Sequence, residues 1–236
     1  MNDTKNYFTA QNLIRDWDTV HVDVSFSCAK GTMTTILGAS GSGKSTVLRL
    51  IAGLETSDAS AHGKAEKILL DKRDITALVP AKRGIGMVFQ KPTLFTHLRV
   101  DDNVAYGLRS AGMSKKESRA RANEFLKKFN LTGFGERNPE TLSGGEAQRV
   151  SLARTLIVKP ELILFDEPLS ALDAPLRKKL AAEIRALQAE LGFTGIMVTH
   201  DLAEARAVSD QIILINAGKI VWQGAAGDFD EQLMTQ

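Results

Sequence analysis

The hydrophobic positions of this chain change period several times, and each change marks an element. Val20, Val22, Val24, Phe26 and Cys28 alternate with polar residues, the period-two signal of a strand with one buried face. Thr32 to Leu37 reads as a second strand that runs into a glycine-rich stretch. From Lys44 to Leu54 the spacing becomes helical, with Val47, Leu48, Leu50 and Ile51 on one side. Lys67 to Asp71 and Ile85 to Gln90 are expected as further strands. After Gln90 the pattern predicts two helices, Val100 to Ser110 and Ser114 to Asn130, and Ser114 with Glu117 has capping-box spacing. Residues 91–141 therefore read as a helical insertion. Beyond it the pattern predicts a helix from Gly145 to about Val158, a strand Leu162–Asp166, a helix Ala174–Leu191 and a strand Ile196–Thr199. A short helix after Asp201 and strands Gln211–Ile215 and Lys219–Trp222 complete the series. Alternating strands and helices imply a mostly parallel sheet covered on both faces.

Composition narrows this picture. A chain of 236 residues with a 43% hydrophobic fraction suits one compact unit, here 1–236, with the insertion as a subdomain. Thirty basic and 28 acidic residues leave a net charge of +2, so no global field points to nucleic acid. The local cluster Lys115, Lys116, Arg119 and Arg121 is interspersed with acids and lacks an aromatic platform, which favours a solvated helix face. Cys28 is the single cysteine; it excludes an internal disulfide and fits a reducing compartment. Met1 to Gln11 is polar and lacks the apolar centre of a signal peptide. No stretch approaches the roughly 20 apolar residues of a membrane span, so a membrane role would come through a partner. With the chain ending soon after Trp222, no further C-terminal domain is expected.

Two stretches carry chemistry on their own. Gly38-Ala39-Ser40-Gly41-Ser42-Gly43-Lys44-Ser45, followed by Thr46, fits G-x-x-x-x-G-K-S. Glycines let backbone N–H groups converge on phosphate oxygens, and the following helix turns its positive end to the same anion. Lys44 would neutralise the β- and γ-phosphates, and Ser45 would ligate Mg²⁺. The alternative is an ordinary glycine turn before a helix; the strand before and the helix after favour phosphate. Asp166 and Glu167 end an apolar strand, and open α/β sheets bind ligands at the carboxyl ends of their strands. Asp166 would hold Mg²⁺, and Glu167 would take a proton from, or orient, an attacking water. The plainer reading is that both carboxylates cap the loop at Pro168.

Between these stretches lies Leu142-Ser143-Gly144-Gly145-Glu146, which resembles the signature motif of ATP-binding cassette ATPases. Gln90 resembles that family's Q-loop glutamine, Ser170-Ala171-Leu172-Asp173 its D-loop, and His200 its switch histidine. The resemblance spans about Trp17 to Gly224. It implies a RecA-like P-loop NTPase core with a mostly parallel sheet, an N-terminal antiparallel β part and an inserted helical subdomain. It also implies an ATPase that uses ATP and Mg²⁺. Lys44, Glu167, His200 and Gln90 would act on the γ-phosphate and its water, and Gln90 would also contact Mg²⁺. Ser143, Gly144, Gly145, Glu146 and Asp173 would face nucleotide held by a second copy of the chain. The family more often carries glutamine where Glu146 stands. Ser143 and Glu146 also have capping-box spacing of their own, and the two roles are compatible.

Trp17 is the candidate for stacking on adenine, with a partly buried core tryptophan as the alternative; Tyr7 and Phe8 are weaker candidates. His21, His62 and His97 read as structural or solvated. The run Met87 to Leu98 resembles bacterial importer ATPases for sugars, polyamines, iron, anions or thiamine. That implies integral membrane permease subunits as partners, a solute-binding protein behind them, and a place on the cytoplasmic face of the membrane. Leu94 and Phe95 are candidates for the permease contact, or for the chain's own core. The rival readings are a soluble cassette ATPase of the iron–sulfur assembly or DNA repair type, and a P-loop kinase or GTPase. The signature motif and the lack of N-K-x-D oppose the last.

Overall fold

The computed structural model describes residues 6–17 and 20–235; Met1–Lys5, the first part of the polar N-terminal stretch, lie outside the described residues. One ten-stranded sheet organises the fold, in the order β5-β4-β1-β2-β10-β9-β3-β8-β7-β6. Its central part joins β3 (Met33–Leu37) in parallel to β8 (Thr194–Thr199) and β9 (Gln211–Asn216), and continues through β7 (Leu162–Asp166) to β6 (Ile85–Val88). Every residue of β3, β7 and β8 is buried, as apolar strands covered on both faces must be. The other edge is antiparallel: β1 (Phe8–Asp16) pairs with β2 (His21–Cys28) and β4 (Lys67–Leu70), and β4 with β5 (Arg73–Asp74). Strand β10 (Lys219–Ala225) joins the two parts through β9 and β2.

The helices follow the sequence pattern closely. They are α1 (Lys44–Ala52), α2 (Val100–Ser110), α3 (Lys115–Lys127), α4 (Gly144–Leu156), α5 (Ala174–Leu191) and α6 (Leu202–Val208). Helix α1 stops two residues short of the expected Leu54 because Gly53, at φ +74°, turns left-handed and returns its N–H to the carbonyls of Arg49 and Leu50. Ser114 caps α3 by accepting from the N–H of Glu117, but the reciprocal half of the box is not made. Glu117 pairs with Arg121 one turn on instead. A single apolar cluster runs from α2 and α3 through α4 and α5 onto β6, β7 and β8, with Val104, Leu126, Val150, Ile163 and Phe165 among its members.

Strand β1 was not legible in the sequence. Phe8, Ala10, Leu13 and Ile14 are buried, but a register shift between Ala10 and Leu13, with Asn12 at φ +52°, breaks the alternation. A bulge inserts one residue and flips the face of those that follow, so the period-two signal is lost. Burial removes Tyr7 and Phe8 as adenine candidates. Both are buried, and Phe8 packs against Phe26 at 5.9 Å between ring centroids.

One other expectation is corrected. Arg119 is not a solvated member of its cluster: it donates to both carboxylate oxygens of the buried Asp102 and ties α3 to α2, whereas Lys115, Lys116 and Arg121 are exposed. His21 and His62 are exposed, in keeping with the solvated reading, and both hydrogen-bond Asp16. Among the described residues no helix is long and apolar enough to cross a membrane.

Cys28 ends β2 with 1% exposure, and burial pushes its thiol up to about 12 from the ordinary 9.0. The folded chain holds this proton where the unfolded chain releases it. Stability is therefore unaffected below about pH 9 and falls as pH rises from there towards 12. Iodoacetamide should label native protein at pH 8 only as fast as the chain opens. Labelling at the rate of the denatured chain would contradict this burial.

Candidate functional site

Four loops leave the parallel sheet at the same edge because the strands end in register. Leu37 pairs with Thr199, Asp166 with Val198, and Val88 with Phe165. The next residues are the loop 38–45, Glu167, His200 and, two positions beyond Val88, Gln90. Residues up to 162 positions apart in the chain are thereby brought to one edge.

The loop 38–45 is bent by glycine where only glycine fits. Gly43 has φ +94°, and a Cβ there would lie 2.5 Å from a methyl of Val22. The bend directs the first N–H groups of α1 at the cleft. At the opposite end of α1 the buried Arg83 donates to the carbonyls of Leu50 and Ile51. Orphan carbonyls are thus satisfied and the helix dipole is complemented. Sequence reasoning missed Arg83, whose only local signal is one arginine before Gly84.

Lys44 is buried and curls back on the loop, its Nζ donating to the carbonyls of Gly38 and Ala39 at 2.8 Å each. Burial holds its pKa below the ordinary lysine value, and the nearby Glu167 and Asp166 carboxylates oppose that shift. Ser45 Oγ donates to Asp166 Oδ1 at 2.6 Å, so two of the three expected Mg²⁺ ligands already touch. A hydroxyl and a carboxylate side by side are hard oxygen donors of the kind Mg²⁺ prefers.

Glu167 adopts φ +43°, sparsely populated for a residue with a side chain. Its N–H is held by the Val198 carbonyl, and its carboxylate lies 3.5 Å from His200 Nδ1. Gln90 sits on the other flank. Its amide donates to Ser170 Oγ at 3.0 Å, and Ser170 in turn donates to the Glu167 carbonyl at 3.0 Å. Gln90 is thus joined to the Glu167 turn rather than to Ser45 and Asp166.

Around these groups is a cleft lined by Trp17, Val20, Ser40, Gly41, Gly43, Lys44, Ser45, Thr46 and Glu167. Trp17 is 49% exposed and is not a core tryptophan. The Arg15 guanidinium stands 4.6 Å from its ring centroid, a cation–π contact that orders the ring. Val20, a cleft wall beside Trp17, was read only as a strand residue.

His200 is positioned by residues whose part the sequence did not announce. Thr199 donates to the buried Glu204 at 2.7 Å and accepts the Asp201 N–H, while Asp201 caps α6 and pairs with Arg177. Arg177 also donates to the Leu172 carbonyl. Burial raises the Glu204 carboxyl above its usual range.

Ser143, Gly144, Gly145 and Glu146 do not line the cleft. They open α4, where Ser143 and Glu146 make a complete capping box. One carboxylate oxygen, Glu146 Oε2, accepts both the N–H and the hydroxyl of Ser143 at 2.8 Å. These two bonds hold the Glu146 carboxyl below its usual range. Gly145 faces α5, where a Cβ would lie 3.0 Å from Leu176. Asp173 caps α5 by accepting from the Leu176 N–H at 2.9 Å.

With this geometry in hand, the comparison with known proteins decides the family. The profile described as ABC transporter matches residues 22–170. The chain belongs to the ABC transporter family. Among its relatives in that family is the Fe(3+) ions import ATP-binding protein FbpC of Rhizobium etli, 49% identical over 209 residues, which are 89% of this chain and 58% of that protein. FbpC 1 of Rhizobium meliloti is 50% identical over 202 residues, covering 86% and 56%. FbpC of Mannheimia succiniciproducens is 42% identical over 233 residues, covering 98% and 65%. The chain thus spans less than two thirds of the length of these relatives. Among solved structures of the family, cbiO1 from Clostridium perfringens, part of the ABC transporter complex cbiONQ, superposes with a TM-score of 0.83 at 25% identity, over 95% of this chain and 90% of that one. That likeness bears out the α/β fold class expected from the sequence.

The Ser143 cap is a local stability element whatever else it does. Ser143→Ala should cost about 1 kcal/mol, read as a lower midpoint in urea at pH 7. Because the Glu146 carboxyl is held low, its part in the cap is full above its ordinary range and fades as pH falls through it. The stability difference between Glu146→Ala and the parent should therefore shrink on acidification. A difference that grows in acid would contradict the observed cap.

Proposed function

We propose that this chain is the ATP-hydrolysing subunit of a bacterial importer, working as a closed pair of copies beneath integral membrane permease subunits. The observation that carries this reading is the alignment of Ser45 with Asp166 and of Glu167 with His200 around Lys44, at one edge of the sheet. ATP is the substrate. Its phosphates would lie in the loop of residues 38–46, where Lys44 trades loop carbonyls for phosphate oxygens. Its adenine would stack on Trp17. Ser45 and Asp166 would hold Mg²⁺, which when bound offsets phosphate charge. Glu167 would accept the proton of the water that attacks the terminal phosphorus. The bond from that phosphorus to its bridging oxygen breaks, giving ADP and phosphate. His200 would orient the water, and Gln90 would sense it through Ser170.

The start of α4 is a helix end with small residues, an anion site by its dipole. Ser143, Gly144 and Gly145 would meet the terminal phosphate held by the other copy, with Asp173 at the same junction. In this chain Glu146 already occupies the Ser143 donors, so those donors must exchange partners when the copies close.

The helical subdomain, residues 91–141, would report nucleotide state to the permease. Phe89 and Tyr106 are exposed, and Phe95 stacks on Tyr106 at 4.7 Å. Leu94 is partly buried against the core; Phe95 is the better candidate for the permease contact. The FbpC relatives, named for Fe(3+) import, support ferric iron as the solute, delivered through a solute-binding protein, with the chain on the cytoplasmic membrane face. A soluble repair-type ATPase gains no support: α2 and α3 run for 11 and 13 residues, too short for a coiled-coil arm.

Two variants test the roles. Lys44→Ala removes the cation that charge-assisted phosphate bonds depend on, worth about 1.5–3 kcal/mol. Binding of a fluorescent ATP analogue should weaken by at least ~10-fold, and unchanged binding would refute the phosphate role. Glu167→Gln should bind ATP, lose turnover and elute as a dimer with ATP. Wild-type turnover in that variant would remove Glu167 from the chemistry.

A further inference from the structure

The closed end of the β1–β2 hairpin carries a group of side chains that the nucleotide chemistry does not use. Asp16 and His21 are paired in register at the last position of β1 and the first of β2. His62 ends a 3-10 turn, Ala59–His62, some 46 residues further along. That turn is docked firmly. The Asp58 N–H donates to the Ile14 carbonyl at 2.7 Å, and the Asp58 carboxylate accepts from the Asp16 N–H and from Arg15. The result is one carboxylate gripped from two sides. His21 Nδ1 lies 2.5 Å from Asp16 Oδ1, and His62 Nε2 lies 2.6 Å from Asp16 Oδ2.

We propose that Asp16, His21 and His62 form a binding site for a divalent transition metal ion of the zinc type, separate from the nucleotide's Mg²⁺. Two imidazoles and one carboxylate are the donor set of zinc and related ions rather than of Mg²⁺ or Ca²⁺. One ligand atom from each residue lies within 4.8 Å of the other two. Ligand bonds of about 2.0–2.2 Å can be reached from there by small side-chain rotations, because all three residues are exposed at the surface. Three protein ligands leave positions open to water, the arrangement of an exchangeable ion rather than of a sealed structural one.

The place of this site suggests its use. Asp16 and His21 flank the turn that bears Trp17 and Val20, and both of those line the cleft. Trp17 and Val20 close the turn with reciprocal backbone bonds of 3.0 and 3.3 Å. A metal clasping Asp16 to His21 would fix that turn, and His62 would anchor it to the body of the domain. This consequence for nucleotide rests on the adenine reading of Trp17; the metal site itself does not.

The test uses the full untagged chain, stripped with chelator, and metal alone. Titration calorimetry with Zn²⁺ should give one ion per chain. Losing a direct ligand should cost at least what losing an outer-shell partner does, about 10- to 100-fold in affinity. Both His62→Ala and Asp16→Asn should show that loss while melting at the parent temperature without metal. Co²⁺ should develop visible d–d absorption that the paired change His21→Ala with His62→Ala abolishes. In a Trp222→Phe background the remaining emission comes from Trp17, and Co²⁺ should quench it unless His62 is replaced. No stoichiometric Zn²⁺ binding, or binding that the paired change leaves intact, overturns the site. Quenching that ignores His62 overturns its link to the turn. Since no nucleotide is present, failure here is separable from failure of the ATPase reading.

Discussion

The bond between Ser45 and Asp166 is the point on which the rest of the site turns. It joins the first turn of α1 to the end of β7, two strands away from β3 across the sheet. It can form only because β3, β8 and β7 finish within one residue of one another. A slip of one residue in any of these pairings would turn Asp166 to the other face. The flush register is in turn enforced by burial. Strands buried on both faces cannot slide without exposing apolar side chains, at about 25 cal/mol for each Å². The chemistry at the edge is therefore aligned by the core beneath it.

The same economy governs the positive helix ends. At α1 the N-terminus is left open by Gly43, which has no side chain to cap it. At α4 the chain fills the equivalent place with its own carboxylate from Glu146. A carboxylate and a phosphate oxygen ask the same thing of Ser143, so the cap stabilises α4 when alone and competes with an incoming anion. Glutamine at this position could complete a box through its carbonyl without adding negative charge.

Most of this was legible in the sequence for a definite reason. Residues 38–46, Asp166, Glu167 and His200 each follow an apolar strand, and the parallel alternation of strands and helices forces such ends to one edge. What escaped notice depends on contacts distant in sequence. Strand β1 hid behind a bulge. Arg83 works by reaching the carbonyls of a helix more than thirty positions earlier. Ser170 joins Gln90 to Glu167 only because two loops adjoin. His21 and His62 looked solitary because the register of a hairpin and a docked turn, neither visible as a motif, bring them to Asp16.

The path from the site to the helical segment has the same character. Gln90 is tied to the Glu167 turn, and a few residues later Arg154 of α4 holds the Thr93 carbonyl and side chain. Next, the buried Asn103 of α2 grips Phe95 from both sides, accepting its N–H and donating to its carbonyl. The stretch between Gln90 and α2 is thus a short strap fastened at both ends rather than a free loop. Any displacement of Gln90 must be absorbed by this strap or passed to α2, because Asn103 donates to three carbonyls at once. Leaving such a buried amide unpaired costs about 1–3 kcal/mol. Movement of the whole strap with α2 keeps those bonds and is the lower-energy response, and it carries the half-buried Phe95 and the exposed Tyr106 along.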